Sequence, residues 1–146
     1  MTHPMLNNNP LGYRGYITSR LIEGNRTPQH IQNLVIREYA QQNNLMYLLS
    51  ATEYAIPGCY LALDSLVNNI QNMDGIILFS FFMLPQGFKM RRSFFNTVLG
   101  AGKVLHAASE ELTILTKKDV ERAEDIHKIK SAVARTYNHI SSLCKT

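Results

Sequence analysis

Tryptophan is absent from this 146-residue chain, cysteine occurs 2 times, proline 5 times and glycine 8 times. Cys59 and Cys144 form no spaced pattern, which excludes a disulfide scaffold and a zinc finger and fits a reducing cytoplasm. Sparse, aperiodic proline and glycine exclude a collagen or a low-complexity chain. No apolar run reaches the roughly 18 residues needed to cross a bilayer. The longest, residues 75–85 (GIILFSFFMLP), has the length of a buried strand. The start MTHPMLNNNP lacks the basic and apolar regions of a secretory signal, so secretion is not expected. One long stretch lacks cations: residues 41–85 hold Glu53, Asp64 and Asp74 but no lysine or arginine.

What is present suits one compact domain, with 45% hydrophobic and 18% charged residues. The net charge of +4 is scattered. Arg14, Arg20, Arg26 and Arg37 precede the cation-free stretch, and Lys89, Arg91, Arg92 and Lys103 follow it. From Glu110 onward 7 basic residues mix with 6 acidic ones. This reads as solvated surface, or as a few arginines converging on one small anion. It is not a basic stripe interleaved with aromatics, so neither nucleic acid nor membrane is expected as a partner.

Strand and helix patterns alternate along the chain. Residues 13–20 (YRGYITSR) are strand-like. Thr27 and Pro28 look like an N-cap and first helical position, and Ile31, Leu34, Val35 and Tyr39 then share a helical face. Residues 45–52 (LMYLLSAT) suit a second strand, and Leu63, Leu66, Val67 and Ile70 a second helix. Residues 75–84 read as a strand covered on both sides. Phe94, Phe95, Val98 and Leu99 mark a third helix, and residues 103–108 (KVLHAA) a fourth strand. Val120, Ala123, Ile126, Ile129, Val133, Tyr137 and Ile140 give one long amphipathic helix. The expected fold class is α/β: a single-domain, open, mainly parallel four-stranded sheet with flanking helices and a long C-terminal helix. The expected layout is a flexible start over 1–11, an α/β domain over 12–116, and a helix over 117–146 that packs on the domain or forms a homodimer interface.

Ligands of such a sheet bind beyond the carboxyl ends of its strands. This draws together Ser19 and Arg20, Thr52, Glu53 and Tyr54, Ser80, and His106 with Glu110. Arg26 lies in the first loop, and Gln29, Asn33 and Arg37 recur at four-residue steps on the first helix. Arg14, Arg20, Arg26 and Arg37 are the residue type that clamps an anion bidentately. His106 could move a proton near neutral pH, with Glu53 or Glu110 as its carboxylate. Ser19, Thr52, Tyr54 and Ser80 could contact hydroxyls, Ser19 also serving as a nucleophile. Dinucleotide, phosphate-loop and metalloprotease motifs are missing, and the five histidines are dispersed, so no cofactor and no metal are expected.

Residues 16–20 (YITSR), 29–33 (QHIQN) and 104–110 (VLHAASE) resemble, in that order, the catalytic domain of serine recombinases, the resolvase and invertase family. The resemblance implies a resolvase-like or flavodoxin-like sheet order and puts Ser19 at the nucleophile position. Two features depart from the family. Ile17 stands where it has an arginine two residues before the serine, and residues 82–86 (FMLPQ) replace its Asp-Arg motif. No DNA-binding helices follow the long helix in this sequence. These departures speak against strand exchange.

Residues 12–20 (GYRGYITSR), 28–39 (PQHIQNLVIREY), 47–60 (YLLSATEYAIPGCY) and 75–85 also resemble a small bacterial family of surface-carbohydrate clusters. That resemblance implies a role in lipopolysaccharide O-antigen or capsule synthesis. The expected function is then a cofactor-free cytoplasmic enzyme, an isomerase, epimerase, lyase or hydrolase on a sugar phosphate or nucleotide sugar. The alternatives are a non-catalytic partner of a larger biosynthetic enzyme and a resolvase-like protein acting on DNA.

Overall fold

The computed structural model describes residues 10–144, so the expected flexible start lies outside the described residues apart from Pro10 and Leu11. The first strand, β1 (Tyr13–Thr18), is built from aromatic and β-branched residues and becomes wholly buried from Gly15 onward. It leads through a loop to α1 (Gln29–Gln42) and then to β2 (Tyr47–Glu53). The chain continues with α2 (Leu61–Asn68), β3 (Gly75–Leu78), α3 (Phe88–Gly100), β4 (Val104–Ala107), β5 (Leu112–Ile114) and α4 (Lys117–Leu143). The sheet order is β2-β1-β3-β4-β5, parallel except for β5. The expected α/β class and parallel sheet hold. The fifth strand escaped the sequence reading because its three residues, LTI, are too short to show a period.

Right-handed crossovers fix which face each helix covers. From β1 the chain moves outward to β2, so α1 covers one face; it then returns inward to β3 and β4, which puts α2 and α3 on the other. Register shows the same division. Ile17 and Ile77 pack under α1 with Ile36, Tyr39 and Ala40. Tyr16, Ile76, Leu78 and Leu105 belong to the larger core beneath α2, α3 and the start of α4. The reversal leaves a switch point at the carboxyl ends of β1 and β3, where such sheets bind ligands. Strand β1 passes close to its neighbour: a side chain at Gly15 would collide with the Ser50 hydroxyl.

Three local expectations need correction. Thr27 makes no side-chain cap; Pro28 occupies the N-cap position. The buried face of α1 is Gln32, Ile36, Tyr39 and Ala40, while Ile31 and Leu34 are exposed. Burial of a polar Gln32 rotates the helix from the face its apolar residues suggest. The apolar run of residues 75–84 is also not one strand. After Leu78 it folds into a buried 3-10 turn over Phe81–Met83, whose first N–H groups are taken up by Ser80 and Glu110.

Helix α4 opens with a capping box in which Thr116 and Asp119 satisfy each other's backbone. Its first turns pack on the body through Val120, Ala123 and Ile126. There Glu124 accepts two hydrogen bonds of 2.6 Å from Arg91 Nε and Nη2, while Arg91 Nη1 donates to the carbonyls of Pro85 and Gln86. Beyond that point Ile129, Val133, Tyr137, Ile140 and Leu143 are all exposed.

Candidate functional site at the β1–β3 switch point

Gln32 shapes the end of β1. Its Oε1 accepts from the Thr18 N–H at 3.0 Å, and its Nε2 donates to the Thr18 carbonyl at 2.6 Å and the Thr27 carbonyl at 2.7 Å. The buried amide thus serves as a further strand partner and fixes the peptide leading into Ser19. The Thr18 hydroxyl accepts from the Arg20 N–H, tightening the turn through Ser19. Ser19 is half-buried, and its hydroxyl has no partner among the described residues. The Arg20 guanidinium donates from Nη1 to the Cys59 carbonyl at 3.0 Å and lies 4.7 Å over the Tyr60 ring. Arg26 is exposed on the loop beyond the tight turn at Glu23 and Gly24, both with positive φ, and has no partner among the described residues.

Two carboxylates lie at the same edge, and both are already engaged. Glu110 accepts from the Ser80 hydroxyl at 2.7 Å and the Phe81 N–H at 3.0 Å, holding the turn after β3. Glu53, 1% exposed, accepts from the Tyr16 hydroxyl and from the backbones of Tyr54, Ala62 and Leu63. Burial works to raise its pKa, but the donors of Ala62, Tyr16, Leu63 and Tyr54 outweigh it and hold the carboxyl below its ordinary range. Glu53 therefore caps α2 and anchors Tyr16; every lone pair it offers is committed to the fold.

His106 does not join this edge. Register aligns Tyr16, Leu78 and Ala107, so Ser19 lies past that level and His106 short of it. The separation is roughly 13 Å along the strands and roughly 10 Å across them. His106 lies on the α1 face, and its Nδ1 meets the Tyr39 hydroxyl at 2.8 Å and that of Thr113 at 3.3 Å. Neither expected carboxylate reaches it. Its Nε2 is buried without a partner among the described residues, and burial pushes its pKa down to about 4.

The other expected residues disperse. Asn33 bonds Ser50 at 2.7 Å on the α1 face, and Arg37 lies 5.4 Å over the Tyr47 ring. Gln29 begins α1 exposed, and Thr52 is exposed on β2. Arg14 Nε donates to the Leu49 carbonyl at 2.7 Å and, with Thr52 and Tyr54, borders a cavity on the α2 flank. The switch point therefore gathers Ser19, Arg20, Ser80, Glu53 and Glu110, with Arg26 on the adjoining loop. In the sequence Gln32 stands out only as part of residues 29–33 (QHIQN). Its position one turn before Ile36 on the buried stripe was the available signal.

Solved structures share this architecture. A resolvase family site-specific recombinase from Streptococcus pneumoniae superposes with a TM-score of 0.59 at 12% identity, over 91% of this chain and 97% of its own. The N-terminal catalytic domain of TP901-1 integrase superposes with a TM-score of 0.54 at 16% identity, over 84% and 98%. No family model and no curated protein matches the sequence. The resolvase-like fold is thus established, whereas the resemblance to a carbohydrate-cluster family finds no support. The expected sugar-phosphate or nucleotide-sugar enzyme of O-antigen and capsule synthesis is overturned, because the matched folds are those of a recombinase and an integrase. The exclusion of nucleic acid as a partner falls with it. No helix among the described residues is long and apolar enough to cross a membrane.

Proposed function

We propose that this is a DNA-acting protein that meets the phosphodiester backbone at the switch point, through Ser19, Arg20 and Arg26. The observation that carries this reading is the fold shared with a site-specific recombinase over 91% of the chain. The chemistry of the edge supports it. Arg20 is held by the Cys59 carbonyl and the Tyr60 ring with N–H donors to spare, and Arg26 is exposed with no partner among the described residues. The nearby start of α1 carries no acidic residue in its first turn, so its free N–H groups add positive potential. Arginine and helix N-termini are the usual partners of DNA phosphates.

The same edge is poor in the charge that phosphoryl transfer demands. Ile17 is 2% exposed in the core, where the recombinase resemblance puts an arginine. In the segment that replaces the Asp-Arg motif, residues 82–86, Phe82, Met83 and Leu84 are buried and apolar, and Gln86 is exposed. Charge developing on a pentacoordinate phosphorus would meet Arg20 and Arg26 alone. Backbone binding without efficient strand exchange suits these residues.

Helix α4 completes the proposal as a dimer seam. Ile126, Ile129, Val133, Ile140 and Leu143 follow a heptad spacing, with Tyr137 beside them, and all but Ile126 are exposed. Lys128, Lys130 and Arg135 are its only charges past Asp125 among the described residues, which places a cationic arm next to that seam.

Fluorescence anisotropy on a labelled duplex, repeated across a salt series, tests the reading. Binding should fall steeply with salt, and Arg20→Ala or Arg26→Ala should each lower the salt slope by about 1. Absence of binding at about 50 mM salt would sink it, as would unchanged slopes in both variants. A covalent adduct on a denaturing gel, lost in Ser19→Ala, would show that strand cleavage persists despite the missing cations.

A further inference from the structure

The flank formed by β2 and α2 is the part of the surface least suited to DNA. It falls within residues 41–85, which contain no lysine or arginine. A cavity of about 280 Å³ nevertheless opens there, and the one cation bordering it is Arg14, supplied from the neighbouring strand. A β-bulge explains its placement. Tyr13 pairs with Tyr47 and Gly15 with Ser50, so Leu48 and Leu49 together oppose Arg14. The bulge frees the Leu49 carbonyl, and Arg14 Nε takes it at 2.7 Å.

One of the five guanidinium N–H groups is spent on that anchor. The other four have no partner among the described residues, and neither terminal nitrogen is sealed from solvent. A planar fork is thereby fixed in position with its carboxylate-binding edge unused. The cavity wall carries no carboxylate to neutralise it and no second cation to favour a dianion. Ser65 on α2 and Asn69 at its C-cap offer neutral polar groups, while Ala51, Leu61 and Leu66 provide apolar surface. Leu61 is 63% exposed, an apolar surface that nothing in the fold covers.

We infer that this cavity is a binding site for a small monocarboxylate with an apolar body, its carboxylate on Arg14 and its body against Leu61 and Leu66. The site stands apart from the Ser19 edge and does not depend on the DNA reading. A single guanidinium matches one negative charge, Leu61 and Leu66 offer carbon to the body of the ligand, and the remaining polar groups of the wall, on Thr52, Tyr54, Ser65 and Asn69, carry no formal charge.

The test uses amide NMR of the full chain with sodium benzoate as probe, benzamide as its neutral isostere, and inorganic phosphate as a second anion. Benzoate should give saturable shifts at Ala51, Thr52, Ala62 and Ser65, benzamide should give none there, and phosphate should bind more weakly. Arg14→Gln should abolish the response, and Arg14→Lys should weaken it by about tenfold, since a point charge replaces the fork. Ser65→Phe leaves Arg14 and the bulge untouched but fills the cavity, so it should abolish binding even if Arg14→Gln fails to fold. Equal responses to benzoate and benzamide, shifts that map elsewhere, or retention of binding in Ser65→Phe would each overturn the assignment. Phosphate binding as tightly as benzoate would overturn the monocarboxylate class.

Discussion

Replacing Glu124 by Gln tests how α4 is joined to the body. The Arg91 and Glu124 side chains are 4% and 10% exposed, and two bonds of 2.6 Å join them. Removing one charge of such a buried pair costs about 3–5 kcal/mol, because the remaining ion is stranded in a medium that solvates it poorly. Two features pull the expected value toward the lower end, about 3 kcal/mol. The Pro85 and Gln86 carbonyls still accept from Arg91 Nη1, and the new amide oxygen can still take one N–H. For a domain of this size that corresponds to a fall of roughly 6–12 °C in melting temperature. Urea unfolding followed by circular dichroism gives the free energy directly. The companion is the double variant Arg91→Met with Glu124→Leu, which removes both charges and fills the space with carbon. It should be less destabilised than Glu124→Gln alone, since no ion is left unpaired. A loss below about 1 kcal/mol in Glu124→Gln, or a double variant no more stable than Glu124→Gln, would show that water reaches the pair and that α4 is held by its apolar contacts instead.

Stability should also depend on pH through His106. Its folded pKa of about 4 lies below the unfolded value of 6.5, so the unfolded chain binds the proton first. Stability is full above pH 6.5, falls as the pH drops toward 4, and levels off below that. The total is about 3 kcal/mol, and unfolding curves of His106→Gln should lose most of the slope in that window. Gln32→Ala would leave the Thr18 N–H and carbonyl buried and unpaired, destabilising the protein by about 3 kcal/mol in urea titration; a loss near zero would mean that water takes over the amide's bonds. Ile129→Glu with Val133→Glu should leave the melting temperature of the body unchanged while reducing the mass seen by light scattering from dimer to monomer. If the pair instead unfolds the monomer, the far half of α4 is part of the core.

The sequence by itself determined the class of fold. Alternating strand and helix patterns, an apolar run at 75–84 and a long amphipathic tail are local signals for this class, although the run is a strand only as far as Leu78 and a 3-10 turn beyond it. They are legible because burying a sheet on both faces demands near-continuous apolar strands, and burying one side of a helix demands a repeat of three to four. The strand-end rule groups Ser19, Arg20, Thr52, Glu53, Tyr54, Ser80, His106 and Glu110; the structure sets His106 on the α1 face and Thr52 and Tyr54 beside Arg14 on the α2 flank.

The roles of those residues were decided by tertiary structure alone. Composition does not reveal that Glu53 gives its oxygens to four donors of the fold, or that Glu110 holds the turn after β3. His106 looked available for proton transfer until register put it on the other side of the sheet from Glu53 and well short of Ser19. A hydrogen bond depends on a few ångströms and on which face a side chain takes, and both are set by the pairing of strands far apart in sequence. Periodicity reports only how much of a segment is hidden. Which polar group meets which, and so which groups remain free for a ligand, is fixed when the strands come into register.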